Sequence, residues 1–127
     1  DKALRDCVKQ HIADGSVRNA QQLLELNCSH AGISDLTGLE IFTALQQLHL
    51  ANNNISKLGP LATLAELNSV NLKENQVKSL LPLRGLENLK YLNLVSNPPL
   101  VCGELGYFQR KPGLILEIPS QCTATAG

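Results

Sequence analysis

The sequence predicts an α/β repeat solenoid: a short, curved stack of repeats with a parallel β-sheet on its concave face, 3₁₀ or irregular turns on its convex face and a helical N-terminal cap. Leucine occupies 25 of the 127 positions. Most of these leucines return at an interval of 22 residues. The residues ahead of the first repeat instead place apolar side chains at helical spacing. These three observations together predict the fold class.

The length and composition favour one folded domain. A chain of 127 residues that is 43% apolar and 17% charged is not disordered, and it is too short for two ordinary cores. We expect a single domain over 1–127, with a helical cap at 1–22, repeats at 23–97 and a C-terminal cap with a degenerate last rung at 98–127. A chain that begins at Asp1 rather than Met is expected to be processed or trimmed, so the lack of a signal peptide excludes no compartment.

The charge balance and the lack of long apolar runs exclude two classes of partner. Eleven Lys and Arg residues balance eleven Asp and Glu residues, so the chain lacks the basic field that nucleic-acid binding requires. No apolar run approaches the ~18 residues that span a bilayer, so we expect no direct membrane insertion. The oligomeric state stays open.

The first residues predict a helix that covers the open end of the stack. Asp1 is a suitable N-cap and Gly15 a suitable stop. Five residues between them share one helical face: Leu4, Cys7, Val8, His11 and Ile12. Because an open solenoid leaves leucines bare at its ends, this face should lie over the first rung.

The repeats follow one another without a gap. One copy runs through Leu45, Leu48, Leu50, Asn53, Ile55, Leu58, Leu61 and Leu64, and the copy 22 residues later runs through Leu67, Val70, Leu72, Asn75, Val77, Leu80, Leu83 and Leu86. An earlier copy begins at Leu23 and a later one at Leu89, and the next step reaches Leu114 and Leu116. We therefore predict five rungs, of which the last is degenerate.

Each rung has the pattern L-x-x-L-x-L-x-x-N-x-I/V, in which apolar and polar residues alternate around the middle leucines. Alternation with a period of two is typical of a short strand with one buried side. Leucines spaced by three follow the strand, with Pro60 and Pro82 at equivalent positions. This second part favours a turn or a 3₁₀ segment over an α-helix.

The motif resembles the leucine-rich repeat family. The segment from Leu45 to Glu66, with Pro60-Leu61-Ala62-Thr63-Leu64, is similar to the 22-residue class found in bacterial internalins and in cytosolic phosphatase-regulating relatives. The resemblance covers roughly residues 20–100. It implies a bacterial source and a curved solenoid whose concave sheet binds other proteins.

Three asparagines stand where the chain leaves the strand: Asn53, Asn75 and Asn97. An amide side chain there can satisfy backbone N–H and C=O groups that the turn leaves unpaired, so we predict structural roles for all three. The first rung has Ala31 at this position, and its turn must find partners elsewhere.

The four cysteines divide between the two caps. We predict the disulfides Cys7–Cys28 and Cys102–Cys122, each closing a loop of about 20 residues and contributing ~3 kcal/mol in the chain-entropy model. Such bridges persist in oxidising surroundings, so we expect an extracytoplasmic location: secreted, cell-surface or periplasmic. The cysteine-framed caps resemble extracellular and periplasmic members of the wider family.

Two other states of the first cysteine pair remain open. Cys7-x₃-His11 and Cys28-x-His30 supply two sulfurs and two imidazoles, which is a ligand set that zinc accepts. His30 is expected in an outer position while Cys28 points inward, so convergence would need distortion. Free thiols are the third state. We predict the disulfide, with no metal and no cofactor.

The outward positions of the strands form the predicted partner-binding surface. Nine residues make up this prediction: Glu25, Asn27, Gln47, His49, Ser69, Asn71, Lys73, Tyr91 and Asn93. They lie in three columns, which the fifth rung is expected to extend with Gly113, Ile115 and Glu117. The surface is polar and weakly charged, which suits backbone groups of a protein or peptide partner. Tyr91 is its one aromatic residue and the best anchor.

The size of this surface limits the partner. Five rungs spaced by ~4.8 Å offer on the order of 300 Å² in projection, below the ~800 Å² per partner of a standard stable complex. The partner must therefore also touch the cap loops, bind weakly or be a short peptide. Tyr107 and Phe108 either extend this footprint or pack over the last rung.

We expect a non-catalytic protein-protein recognition module. The sequence lacks a nucleophile elbow, a P-loop, a Rossmann fingerprint and EF-hand spacing, and we expect no carboxylate or thiol arranged to work with His49. Two alternatives stay open. One is a structural or scaffold piece of a larger envelope protein, and the other is a glycan-binding, adhesin-like module, which the scarcity of aromatic residues disfavours.

Overall fold

The computed structural model describes residues 1–13 and 19–123. After helix α1 (Lys2–Ile12) come five strands: β1 (Glu25–Asn27), β2 (Gln47–His49), β3 (Ser69–Asn71), β4 (Tyr91–Asn93) and β5 (Ile115–Glu117). The strands pair in parallel and in chain order, which forms one sheet. The predicted repeat solenoid with a helical N-terminal cap is confirmed.

Short 3₁₀ turns cross the side of the stack opposite the sheet. They span Ala20–Gln22, Leu39–Ile41, Gly59–Leu61, Leu81–Leu83 and Cys102–Glu104. Pro60 and Pro82 lie in the first two positions of their turns, where a backbone N–H would have no partner within the turn. The two prolines therefore start each turn without removing a hydrogen bond from it.

The core consists of the inward side chains of successive rungs. Leu48, Val70 and Leu92, at the middle of β2, β3 and β4, are 0% exposed. Burying one such aliphatic side chain stabilises the fold by about 1.5–3 kcal/mol. Since each rung buries its leucines against the rungs beside it, no rung has a complete core of its own.

Asparagine amides link the second, third and fourth rungs, each to the rung before it. Asn75 Nδ2 donates to the carbonyl of Leu72 at 3.1 Å in its own turn and to that of Leu50 at 2.9 Å in the preceding turn. Its Oδ1 accepts from the N–H of Ile55 at 3.0 Å. Asn75 is 1% exposed, so these groups would have no water to replace the amide. Asn97 makes the equivalent bonds one rung later.

Asn53 supplies the partners that the first turn lacks. Its Oδ1 accepts from the N–H groups of Ala31 and Ile33 at 3.1 and 2.9 Å, and its Nδ2 donates to the carbonyl of Cys28 at 3.0 Å. The first rung therefore needs no asparagine of its own, because the second rung serves it.

One residue in each turn has a left-handed backbone. These residues are His30, Asn52, Glu74 and Ser96, with φ between 58° and 62°. This conformation costs roughly 1 kcal/mol for most residues and less for Asn. Each of them directly precedes the asparagine position of its rung, where the chain must turn sharply off the strand.

The first residue of the chain fixes helix α1 to the first rung. Asp1 Oδ1 accepts from the N–H of Leu4 at 3.0 Å, which is the predicted N-cap. Its Oδ2 accepts from the N–H groups of Ser34 and Asp35 at 3.0 and 3.1 Å. The helix ends at Ile12, and the predicted stop at Gly15 lies outside the described residues.

The structure contains both predicted disulfides, Cys7–Cys28 and Cys102–Cys122. One ligand atom each from Cys7, His11 and Cys28 lies within 4.8 Å of the others. The two sulfurs are bonded to each other, however, and His30 is not part of this group. The alternative four-ligand zinc set is therefore not brought together.

His11 instead joins the helix to the first strand. Its Nε2 accepts from the backbone N–H of Asn27 at 3.1 Å, while its Nδ1 lies 3.0 Å from the carbonyl of Cys7. A neutral imidazole with its proton on Nδ1 satisfies both contacts. The helical cap is thus held by a carboxylate, an imidazole and a disulfide.

The fifth rung is longer than the others, and the register predicted for it is wrong by two residues. Tyr91 pairs with Ile115 rather than with Gly113. Helix α2 (Leu105–Gln109) and a left-handed turn at Gly113, with φ 80°, lie between β4 and β5. Because side chains alternate with a period of two, a shift of two residues moves every column but leaves the same face outward.

The C-terminal cap uses the aromatic residues in its own packing. Phe108 is 2% exposed. The hydroxyl of Tyr107 donates to the carbonyl of Arg84 at 2.8 Å, and the Arg84 guanidinium lies 4.7 Å from the ring centroid. Arg84 follows the turn at Leu81–Leu83, so neither ring extends the concave footprint. Helix α3 (Ser120–Thr123) carries the last cysteine.

None of the helices in the described ranges combines the length and the apolar character needed to cross a bilayer.

Replacing Asn75 by Ala should lower the free energy of unfolding by roughly 3 kcal/mol, because buried backbone groups of two turns lose their partner. Asn54→Ala, at an exposed position of the preceding rung, is the control and should change it by less than about 0.5 kcal/mol. Urea denaturation followed by circular dichroism measures both. Equal losses for the two variants would contradict the structural role of the amide.

Replacing Glu74 by Asn should raise the free energy of unfolding by about 0.5–1 kcal/mol, because Asn tolerates the left-handed backbone better than Glu does. Glu74→Val should lower it by at least ~1 kcal/mol, because a β-branched side chain is strained at positive φ. Thermal melting of both variants tests the sign of each change. Melting temperatures that move in the same direction would refute this explanation.

Candidate functional site: the concave sheet face

The concave face consists of the outward side chains of the five strands and of the residues that follow them. The first column contains Glu25, Gln47, Ser69, Tyr91 and Ile115, and the second contains Asn27, His49, Asn71, Asn93 and Glu117. A third column, just beyond the strands, contains Ser29, Ala51, Lys73 and Val95. All nine residues of the predicted surface lie in these columns.

Three asparagines of the second column are fixed by the backbone of their own rung. In each case Oδ1 accepts from the N–H two residues later: Ser29 N to Asn27 at 3.1 Å, Lys73 N to Asn71 at 3.0 Å and Val95 N to Asn93 at 3.0 Å. Such a local bond orients the whole amide plane, because the carbonyl end is held at the chain. The amide nitrogen is then the end that is left for other groups.

Glu25 and His49 form a pair, contrary to the expectation that no carboxylate accompanies this histidine. Glu25 Oε2 lies 2.9 Å from His49 Nε2, and the side chains are 59% and 31% exposed. Glu25 is directly opposite Gln47, so its contact with His49 is diagonal, across two strands and two columns. The sequence pattern missed this pair because it aligns residues along columns and not between them.

Tyr91 is held in place by its neighbours. Its hydroxyl donates to Glu117 Oε2 at 2.6 Å and accepts from Asn93 Nδ2 at 3.2 Å. The hydrogen bond to the Glu117 carboxylate, together with a smaller effect of burial, raises the pKa of Tyr91 above its ordinary value. Asn93 is 8% exposed, so it supports Tyr91 more than it offers its own amide to a partner.

Ile115 creates an exposed apolar spot beside Tyr91. Its side chain is 63% exposed, and it stands directly opposite Tyr91 in the sheet. The 22-residue period predicts Gly113 at this place and Ile115 next to Asn93 instead. The turn signal at Pro112-Gly113, ahead of β5, is the sequence feature that marks the longer rung.

Replacing Glu117 by Gln should lower the pKa of Tyr91 toward its ordinary value near 10.0, because the amide no longer stabilises the protonated phenol as a charged acceptor does. Since the folded-state pKa lies above the unfolded one, the stability that this bond contributes is complete below pH 10 and is lost as the pH rises through the raised value. Tyrosinate absorbance, measured in a Tyr107→Phe background, isolates Tyr91. Identical titration curves with Glu117 and with Gln would contradict this cause.

Comparison with known proteins identifies the family. A family model described as the endo-β-N-acetylglucosaminidase EndoS LRR domain matches residues 1–100. No curated protein sequence matches the chain closely enough to count as a relative.

Two solved structures from Listeria monocytogenes share the fold. An internalin, InlF, is 19% identical with a TM-score of 0.66, over 95% of this chain and 43% of that one. The functional domain of InlJ, which includes a cysteine ladder, is 20% identical with a TM-score of 0.52, over 84% of this chain and 27% of that one. The chain thus spans less than half the length of either internalin chain. A leucine-rich repeat fold supports a protein-binding repeat module in general. The chain belongs to the EndoS-type family of leucine-rich repeat domains, with an internalin-like repeat stack.

Proposed function

We propose that the domain is a non-catalytic protein-recognition module whose concave face binds a protein or an extended peptide outside the cytoplasm. The observation that carries this proposal is the ordered face itself. Five strands in register hold rows of polar side chains, and Tyr91 and Ile115 form an apolar spot at the fourth and fifth rungs. Such a combination of a small apolar patch with neighbouring polar side chains is typical of protein interfaces.

The face is ordered before any partner arrives. The amides of Asn27 and Asn71 are held by backbone bonds, and the Tyr91 hydroxyl lies between two side chains. Ordering a free side chain on binding costs about 0.5–1.5 kcal/mol. A partner that meets these groups avoids part of this cost, which favours recognition over a merely solvated surface.

The pair Glu25–His49 is the most enzyme-like arrangement on this face, and its surroundings favour a non-catalytic role. Both side chains are partly open to solvent on a sheet surface. Catalytic acids and bases instead work in concave sites that exclude water, where electrostatic interactions are strong. We therefore assign this pair to the shape and polarity of the face.

The two disulfides support a secreted, cell-surface or periplasmic location, because reducing compartments do not maintain such bonds. The internalin-like repeat pattern motivates the accompanying proposal of a bacterial source.

A second candidate follows from the name of the matched family, which refers to an endo-β-N-acetylglucosaminidase. In this candidate the chain is an accessory domain of a larger glycan-cleaving protein, and its face contacts the glycan. Capture of a model glycoprotein before and after enzymatic removal of its glycans separates the two candidates. Equal capture favours recognition of the protein, whereas loss after deglycosylation favours the glycan.

Replacing Ile115 by Glu should weaken binding at the concave face at least about tenfold, because a charge then replaces an exposed apolar anchor. Ile41→Glu is a matched control, since Ile41 is 59% exposed but lies in the 3₁₀ turn on the opposite side. The immobilised wild-type domain selects binders from a displayed library of random peptides, and their affinities are then measured for both variants. Binders that tolerate Ile115→Glu as well as they tolerate Ile41→Glu would overturn the proposed function.

A further inference from the structure

The carboxylates on the concave face already have donors from this chain. Glu25 Oε2 is paired with His49, and Glu117 Oε2 accepts from the Tyr91 hydroxyl. These two acidic residues stand in the first and the fifth rung, at opposite ends of the sheet. The acidic groups of the face are therefore turned toward their own neighbours.

The middle of the face has the opposite character, because two of its donor groups have no acceptor among the residues that the structure describes. Asn71 Oδ1 is used by the N–H of Lys73 at 3.0 Å, which leaves the Nδ2 group as the outward end of this amide. Within residues 1–13 and 19–123, neither Asn71 Nδ2 nor Lys73 Nζ donates to any group, and Lys73 is in no ion pair. Both side chains project from the third rung, two residues apart, and thus on the same side.

The charge of Lys73 is also uncompensated by its surroundings on the face. Its neighbours in the third column are Ala51 and Val95, and the next residue along the chain, the exposed Glu74, forms no ion pair with it within residues 1–13 and 19–123. The outward carboxylates of Glu25 and Glu117 are two rungs away, which is about 10 Å at the strand spacing. Exposed charges separated by more than a Debye length, about 8 Å at physiological salt, are largely screened from each other. An anion placed at Lys73 would therefore compete with the adjacent Glu74 but little with the carboxylates of Glu25 and Glu117.

We infer that the centre of the concave face receives an acidic side chain of the protein partner, with its carboxylate between Asn71 Nδ2 and Lys73 Nζ. This inference rests on the proposed function and specifies the partner's chemistry. A carboxylate accepts two donors at once, and charge-assisted bonds of this kind are stronger than neutral ones.

The apolar spot fixes how far this acid lies from the partner's apolar anchor. Tyr91 is one rung beyond Asn71 and Ile115 is two rungs beyond it, which corresponds to about 8–12 Å across the face. An extended chain covers this distance in about two to four residues. The partner segment therefore carries Asp or Glu two to four residues away from an apolar or aromatic residue.

The test uses a displayed library of random peptides selected on the complete wild-type domain with its disulfides intact. Selected sequences should contain the acidic and apolar residues at this spacing. The corresponding synthetic peptides, amidated at the C-terminus, should bind Lys73→Ala about fivefold and Lys73→Glu about tenfold more weakly, in keeping with the loss of one charge-assisted bond. Lys57→Glu, at an exposed lysine that follows the second rung's turn, is the matched control and should leave binding unchanged.

A charge exchange makes the test specific to this contact. Replacing the peptide's acid by Lys should weaken binding to the wild type about tenfold and restore binding to Lys73→Glu. Peptides that depend on Ile115 but ignore Lys73 would overturn this inference while leaving the proposed function intact, and peptides that ignore both residues would overturn both. If binding requires a free C-terminal carboxylate instead of an acidic side chain, the inference is also overturned.

Discussion

The buried asparagine amides are the constraint on which the rest of the structure depends. Each turn between strand and convex side brings backbone N–H and C=O groups next to the leucine core, where water cannot reach them. One amide satisfies groups of its own turn and of the turn before it, as Asn75 does with Leu72 and Leu50. Adjacent rungs are therefore held in one register, and neither can shift relative to the other without leaving polar groups unpaired. The register of the sheet, and with it the columns of the concave face, follows from this tie.

The regular part of the fold could be predicted because it depends on residue types that repeat. Inward positions such as Leu48 and Val70 accept only apolar side chains, so their spacing is visible in the sequence. The caps could also be predicted, because a helical face and two cysteine pairs lie at the two ends of the repeat region. The left-handed residues were not visible, because His30, Asn52 and Glu74 share a backbone conformation but no side-chain property. The extra length of the fifth rung does not appear in the leucine pattern, because Leu114 and Leu116 continue the 22-residue period. The strand nevertheless begins two residues later than that period requires.

In the candidate site, likewise, the side on which each side chain lies could be predicted, but the contacts between the side chains could not. Which side chains face outward follows from alternation, and all nine predicted residues lie on that face. The contacts between them depend on strand twist and side-chain length, which no periodic pattern contains. The diagonal pair of Glu25 with His49 and the bond from Tyr91 to Glu117 are both of this kind. Only the structure shows that Asn93 is largely covered while Asn71 still presents its amide nitrogen.

A stack of identical rungs would present a uniform face with no reason to prefer one partner. Preference can arise only where successive rungs differ, and three differences stand out on the concave face: the Glu25–His49 pair at its start, Lys73 in its middle and the apolar spot at its end. The last of these depends directly on the irregular fifth rung. Had the 22-residue period continued, Gly113 would stand beside Tyr91, and Ile115 would stand in the second column beside Asn93. The two added residues place Ile115 opposite Tyr91 and bring Glu117 within hydrogen-bond distance of the Tyr91 hydroxyl. The departure from the repeat is therefore what gives the sheet a distinct apolar end, while the asparagine bonds of the earlier rungs hold Tyr91 in a fixed register with Lys73.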